Sequence, residues 1–244
     1  MKMQKFRKLL LIISMLLFPI TLYYLSPVII ITGAVNGVVN GSFIIFLTLL
    51  IGSMFFGRLF CAYLCPAGGI QECTMLVNDK MPKRGWRDNI KYVIWILWIT
   101  TIIACFVFIK HKLSVDFFFM TDHGISVANI YGYIIYYIVI AILLIPSLIF
   151  GRRAVCHYFC WMAPFMVIGG KLGDIFHTKI LKLSADKDAC INCNLCDKNC
   201  PMSINVSEKV KSGNMHDNEC ILCGACVDNC PKKAIKYRVK YRVK

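Results

Sequence analysis

Cys190-Ile191-Asn192-Cys193-Asn194-Leu195-Cys196-Asp197-Lys198-Asn199-Cys200-Pro201 is echoed by Cys220-Ile221-Leu222-Cys223-Gly224-Ala225-Cys226-Val227-Asp228-Asn229-Cys230-Pro231. Both stretches read C-x2-C-x2-C-x3-C-P, the spacing that wraps a pair of [4Fe–4S] clusters. Iron binds soft, anionic thiolates, and three of them two residues apart let one short loop reach three corners of a cubane. The fourth cysteine lies past a bend and reaches the other cluster. The expected ligand sets are therefore Cys190, Cys193, Cys196 and Cys230 for one cluster, and Cys220, Cys223, Cys226 and Cys200 for the other. Structural zinc also uses paired C-x-x-C knuckles, but a triplet-plus-one rhythm ending twice in proline does not suit it.

The rest of the 244-residue chain is of another kind. It is 58% apolar, its mean hydropathy is +0.63, and the excess lies before residue 151. The formal charge of +15 could point to nucleic acid, but the basic residues flank apolar runs and form no patch, which reads as membrane topology and not nucleic-acid binding. Fourteen cysteines at metal-ligand spacings need a reducing compartment, so the cysteine-rich end should face the cytoplasm.

Four apolar stretches, 9–25, 42–60, 92–109 and 131–150, approach the ~20 residues that cross a bilayer. The intervening 27–41, rich in Gly and Asn, reads as a bent or re-entrant piece, because its backbone would lack partners in lipid. Lys2, Lys5, Arg7 and Lys8 precede the first stretch. Arg58, Lys80, Lys83, Arg84, Arg87 and Lys91 lie around the second loop, and Arg152 and Arg153 follow the fourth stretch. The opposite side offers only Lys110 and Lys112. Both termini are therefore expected in the cytoplasm of a multi-pass inner-membrane protein. The first stretch is longer than a signal-peptide core and reads as an uncleaved anchor.

The expected fold is an α-helical membrane protein of four transmembrane helices, arranged as a duplicated helix pair, with a small α+β ferredoxin-like domain at the C-terminus. Its divisions are 1–162 for the membrane domain, 163–184 for an interfacial linker beginning with a short helix, 185–236 for the ferredoxin domain and 237–244 for a basic tail. The tail repeats Tyr-Arg-Val-Lys, an alternation suited to an edge strand or a contact with the anionic leaflet.

A second cysteine system supports the duplication. Arg58-x-x-Cys61-x-Tyr63-x-Cys65-Pro66 and Arg153-x-x-Cys156-x-Tyr158-x-Cys160 share one pattern, each at the cytoplasmic end of an apolar stretch. Cysteines four apart share a face if the segment is helical. Together, Cys61, Cys65, Cys156 and Cys160 form a candidate third metal or redox site, with a third cluster, reversible dithiols, domain docking and inert packing all open. Cys73 and Cys105 have no partner spacing and read as ordinary buried cysteines.

With these motifs in this order, the chain resembles the membrane-bound 4Fe–4S polyferredoxin family of the NapH, MauN and NosR C-terminal type. The family's paired C-x-x-x-C-P motifs fall on Cys61, Cys65 and Pro66 and on Cys156 and Cys160, with Trp161 where the first copy has proline. The resemblance implies quinol-linked or maturation-linked electron transfer at the inner membrane, with a quinone and redox partner proteins as the partners, and a role as an electron-transfer subunit of a quinol dehydrogenase.

An accessory role, donating electrons to metalloenzyme assembly or sensing redox state, stands beside the respiratory one. Lys198, Lys232 and Lys233 flank the cluster loops and could receive an acidic partner. His111, Asp116, Asp122 and His123 fall on the outer loop, where a quinol could release protons. No histidine pair lies inside the apolar stretches to hold a haem. No ionisable residue stands at mid-depth as a transporter would require.

Overall fold

The computed structural model describes residues 2–108, 113–176, 178 and 180–240. Ile109, Lys110, His111, Lys112 and tail residues 241–244 lie outside the described residues. The first helix, α1 (Lys2–Leu16), starts within the basic N-terminal segment and stops before Pro19. Proline has no N–H to continue a helix and its ring clashes with the preceding turn. It is tolerated in the first turn of α2 (Phe18–Thr21), which leads into a 3₁₀ turn, Tyr23–Leu25. The apolar stretch 9–25 is thus a broken path and not one straight helix.

Ser26, preceding Pro27, is extended (φ −92°, ψ 125°), as a residue before proline prefers. The bent piece that follows comprises α3 (Pro27–Val35) and β1 (Val38–Asn40). The Asn40 side chain then accepts from the Phe43 amide at 3.0 Å and caps α4 (Gly41–Phe56). Next come α5 (Leu59–Tyr63), α6 (Pro66–Thr74), a 3₁₀ turn at Trp86–Asn89 and α7 (Ile90–Phe108). Short β2 (Ser114–Asp116) pairs in parallel with β1. Asn129 caps α8 (Ile130–Phe150) by accepting from Gly132 at 2.9 Å. By length and composition, Trp86–Phe108 and Ile130–Phe150 are long and apolar enough to cross a membrane, and α4 is a shorter apolar helix.

Helices α4 and α8 end alike, at Gly57 (φ 56°, ψ −132°) and Gly151 (φ 96°, ψ −148°), a positive-φ backbone that glycine adopts without a Cβ penalty. At Gly151 a Cβ would also collide with the Lys80 carbonyl. The chain then turns back into the bundle. After α5 and its counterpart α9 (Ala154–Tyr158), α6 and α10 (Met162–Ile175) lead out again. Helix α6 runs beside α1 from Ser14, whose hydroxyl donates to the Leu64 carbonyl at 2.6 Å, past Leu11, against which Gly69 is closed, to Arg7. Helix α10 runs beside α4. Phe165 packs edge-on to Phe46 at 5.5 Å, Gly169 lies on the Leu50 carbonyl and Ser53, and Gly173 lies on the Met54 carbonyl.

Two expectations change here. Neither cysteine pair shares a helix face at the boundary, because each straddles a break inside the bundle. Pro66 holds Cys65 extended (φ −78°, ψ 115°), and Cys160 lies between α9 and α10. Helix α10 is not a free interfacial linker but buries Met162, Ala163, Pro164, Met166 and Val167 in the bundle.

The C-terminal unit comprises β3 (Ile180–Ala185), α11 (Leu195–Lys198), α12 (Val206–Ser212), α13 (Ala225–Asp228) and β4 (Ile235–Lys240). The two strands are antiparallel, with Ile180 opposite Lys240 and Ala185 opposite Ile235. Its sheet therefore takes residues from both the expected linker and the first half of the expected tail, because neither strand can satisfy its backbone alone. One continuous core runs from Ile30, Phe46 and Trp98 through Cys61, Cys156 and Met166 to Met202, Cys223 and Ile235.

A layer of buried charges joins bundle to ferredoxin unit. Glu72 receives Arg7 and Arg153, at 2.5 and 2.6 Å. Glu219 receives Arg58 at 3.2 Å and Lys91 at 2.5 Å. Arg152 pairs with Asp79 at 2.5 Å. Burial alone would raise the Glu72 carboxyl, but Arg153 and Arg7 outweigh it and hold it below the usual carboxylate range. Glu219 is held down likewise against burial, by Arg58 and Lys91.

Gly169→Val should push α10 off α4 and cost about 1–3 kcal/mol, read as a lower thermal midpoint in detergent. Gly170→Ala, whose nearest neighbour is 4.0 Å away, should be neutral or gain up to ~1 kcal/mol of helix propensity. Equal losses in both would contradict this packing. Glu72→Gln should cost about 3 kcal/mol at neutral pH by stranding two guanidiniums. Because the folded carboxyl titrates below its unfolded value of about 4.3, its contribution is complete above that value and fades as pH falls through the lower folded one. Wild type and variant should therefore converge in thermal midpoint at acid pH.

Candidate metal centres

The two cysteine runs fold by one rule. Left-handed residues recur at matched places: Asn192 (φ 55°) with Leu222 (φ 56°), Asn194 (φ 56°) with Gly224 (φ 72°), and Ser203 (φ 49°) with Lys233 (φ 50°). Asparagine and glycine adopt this region readily, whereas leucine there costs about 1–2 kcal/mol. Alternating right- and left-handed residues turn successive amides toward one concave side, a setting for an anionic group. A four-residue helix, α11 or α13, then carries the third cysteine of each run.

Two cavities result, and each draws cysteines from both runs. One is lined by Cys190, Cys193, Cys196 and Cys230, the other by Cys200, Cys220, Cys223 and Cys226 with Met202, Ile204 and Met215. These are the quartets named from the spacing. Four sulfurs around a space with apolar walls are a donor set for soft iron. Among the described residues, no three His, Cys, Asp or Glu side chains are arranged to share one metal ion, whereas a cubane takes one thiolate per iron and a wider spread. Burial pushes the Cys220 thiol up to about 12 and that of Cys200 up to about 11. Coordination is what would draw off such protons.

The quartets differ in setting. Cys193 is exposed and Cys190, Cys196 and Cys230 are half-buried, whereas Cys200, Cys223 and Cys226 are buried and Cys220 half-buried. The buried quartet faces the bundle. Gln4 donates to the Cys223 carbonyl at 2.9 Å, and Arg152 to the Lys198 and Cys200 carbonyls at 2.7 and 3.3 Å. Lys198, Lys232 and Lys233 are exposed.

Cys61, Cys65, Cys156 and Cys160 lie on the two re-entrant turns, and Cys61, Cys156 and Cys160 share one apolar core with Met162 and Met166. Gln71 ties the copies together: it donates to Cys156 Sγ at 3.3 Å and accepts from Ser147 Oγ and the Val155 amide at 3.2 and 3.1 Å. Arg153 donates to the Cys61 carbonyl at 2.8 Å, and Met166 Sδ touches Cys61 Sγ at 3.8 Å. Cys73 and Cys105 are not buried as expected: Cys73 is exposed and Cys105 half-buried. Asp116 and the Asp122–His123 pair are exposed, far along the chain from the cysteines. His157 is fully buried, and burial lowers its imidazole to about 4.

A cavity of about 490 Å³ lies among the end of α4, α10, β3 and the loop before Cys220. Arg58, Met166, Ile180, Leu222, His216 and Cys220 line it. Sequence reasoning missed Glu72, Glu219, Gln71, Lys91 and Met166. The signal for Glu72 was its place: with thirteen acidic residues against twenty-eight basic ones, a carboxylate three and four residues after two glycines, on their side of a helix, would face a close neighbour and need a cation there.

Residues 189–235 match the family described as a 4Fe-4S dicluster domain. The family described as a 4Fe-4S binding domain matches twice, at residues 41–84 and 131–181, so each match contains one C-x-x-x-C pair. An uncharacterized protein of Methanocaldococcus jannaschii is 26% identical over 65% of the chain and 64% of its own length. YccM of Escherichia coli K12, named for electron transport, is 24% identical over 74% of the chain and 52% of its own length. The methylamine utilization ferredoxin-type protein MauN of Paracoccus denitrificans is 26% identical over 59% and 48%. The chain spans about half to two thirds of the length of these curated relatives, and no solved structure matches it. One dicluster domain, two copies of the cluster-binding domain and ferredoxin-type relatives together support a membrane polyferredoxin-like family.

Proposed function

We propose that the chain is a membrane-anchored iron–sulfur electron-transfer protein, linked to quinol. The observation that carries this reading is the pair of cavities, each lined by three cysteines of one run and the last cysteine of the other. In this reading, Cys190, Cys193, Cys196 and Cys230 hold an outer [4Fe–4S] cluster, and Cys200, Cys220, Cys223 and Cys226 an inner one. Bound there, the clusters supply one-electron redox chemistry. The half-exposed quartet meets solvent beside Lys198, Lys232 and Lys233, a face suited to an acidic redox protein. The buried quartet is held against the bundle by Gln4 and Arg152.

Four crossings are supported by the way the helices alternate. The start of α1, the end of α4, the start of α7 and the end of α8 all carry residues of the buried charge layer or its immediate flank. The opposite ends gather on the other side, where Ser126 and Gly124 bond to Ile20 and Tyr24. The excess of Lys and Arg on the ferredoxin side and the need for reduced thiols support a cytoplasmic location for that side. The quinol link rests on the 490 Å³ cavity, which is of ligand size and reaches both Cys220 and the bundle residue Met166.

Replacing one cysteine at a time tests the crossed assignment. Cys200→Ser and Cys223→Ser, in different runs, should abolish the same EPR signal, each with a loss of about four irons. Cys196→Ser should abolish the other. Losses shared within a run would overturn the assignment. A quinol analogue added anaerobically should reduce the clusters. Failure of every quinol, with dithionite reduction intact, would remove the quinol link and leave the electron-transfer reading standing.

A further inference from the structure

The loop between α6 and α7 carries apolar side chains that the bundle does not cover. Leu76 is 89% exposed, Val77 80% and Trp86 74%, with Met81 also exposed. Single apolar side chains are ordinary on a protein surface. A group of them interleaved with charge, on one short loop, marks an interaction site.

The interleaved charges are Lys80, Lys83 and Arg87, all exposed. The two carboxylates of the same loop are already engaged. Asp79 pairs with Arg152 at 2.5 Å, and Asp88 faces Arg84 at 3.9 Å and His157 at 3.7 Å. Among the described residues, Lys80, Lys83 and Arg87 form no ion pair with any carboxylate. The loop is nevertheless held in place. The Asn78 side chain donates to the Leu148 carbonyl at 2.6 Å, the Arg152 amide to the Lys80 carbonyl at 2.9 Å, and the Tyr158 hydroxyl to the Lys83 carbonyl at 2.7 Å. Pro82 is buried. The backbone thus lies against the end of α8 and α9, and the apolar and basic side chains stay outside the packed surface.

The same bonds set the level of the loop. Leu148 belongs to the last turn of α8, where Ile149 and Phe150 are also exposed. Trp86 opens the stretch Trp86–Phe108, long and apolar enough to cross a membrane. Tryptophan is enriched at that boundary, where one end of the ring system is apolar and the other wet. Cations on the cytoplasmic side of the boundary meet an anionic leaflet. An acidic protein would answer the cations, but apolar side chains continuous with the flank of a membrane-crossing helix are answered by acyl chains.

We propose that residues 76–87 bind acidic phospholipid of the cytoplasmic leaflet. Leu76, Val77, Met81 and Trp86 enter the acyl boundary, and Lys80, Lys83 and Arg87 hold the phosphate headgroups. The inference rests on the membrane reading above and goes beyond it. Arg84, in the same loop, pairs with Asp217 of the ferredoxin unit at 3.3 Å, so the lipid-bound loop also steadies that unit.

The test places the full chain in vesicles of equal parts phosphatidylcholine and phosphatidylglycerol, with bromine on the acyl chains of one lipid or the other. Trp86 emission is taken as the difference between wild type and Trp86→Phe. Bromine on phosphatidylglycerol should quench it about twofold more strongly than bromine on phosphatidylcholine. Lys80→Gln, Lys83→Gln and Arg87→Gln together should make the two equal. Equal quenching in wild type, or a preference unchanged in the triple variant, overturns headgroup binding by these cations. No quenching of Trp86 by either lipid, with the chain still floating with the vesicles, overturns the proposal and makes the loop a protein-facing surface. Both results leave the membrane reading intact, whereas a chain that does not float with the vesicles overturns both. The wild-type comparison decides by itself, so a misfolded triple variant does not shield the proposal.

Discussion

The arrangement of this protein depends on two buried carboxylates. Glu72 ties the start of α1 to the second re-entrant turn through Arg7 and Arg153, and Glu219 ties α4 and α7 to the residue next to Cys220 through Arg58 and Lys91. Desolvating so many ions is unfavourable unless the geometry is good and the remaining donors find acceptors. Much of that geometry is present, since Arg7 grips Glu72 with both terminal nitrogens, at 2.5 and 2.8 Å. Arg58 also donates to the Asn218 carbonyl at 2.8 Å. The layer therefore sets the pose of the ferredoxin unit as well as its attachment.

That pose gives the two cysteine quartets different surroundings although their sequences are close copies. Each loop uses the same left-handed turns, so the difference arises from docking and not from the loop itself. Gln4, Arg152 and Arg58 reach the backbone around Cys200, Cys220 and Cys223 from below. Among the described residues, no side-chain hydrogen bond of this kind from the bundle reaches Cys190, which is half-buried, or Cys193, which is exposed. A tandem repeat has thereby acquired an inner and an outer member.

The parts legible in the sequence were those with local causes. The cysteine spacing grouped the residues that line the two cavities because three of each four sit on one short loop. The stretches 92–109 and 131–150 were located because a long apolar run has few other uses. The matched Arg-x-x-Cys-x-Tyr-x-Cys phrases disclosed the duplication. The parts that stayed hidden depend on contacts between distant segments. Turning the chain back after Gly57 and Gly151 requires Gly69, Gly169 and Gly173 to accept another helix's backbone, and glycines inside an apolar run do not announce which neighbour they meet. Pro19 and Pro66 marked the breaks. Their consequence, a bent first stretch and a cysteine pair split across a turn, emerged only with the helices in place. Glu219 was not singled out beside Cys220, because its partners, Arg58 and Lys91, lie more than a hundred residues away.

The central claim is that one ferredoxin cluster is sealed against the membrane bundle while the other meets solvent. EPR power saturation of the reduced protein with a water-soluble paramagnetic chelate measures this directly. The account predicts strong relaxation of the signal lost in Cys196→Ser and little change in the signal lost in Cys200→Ser. Equal relaxation of both signals would contradict it.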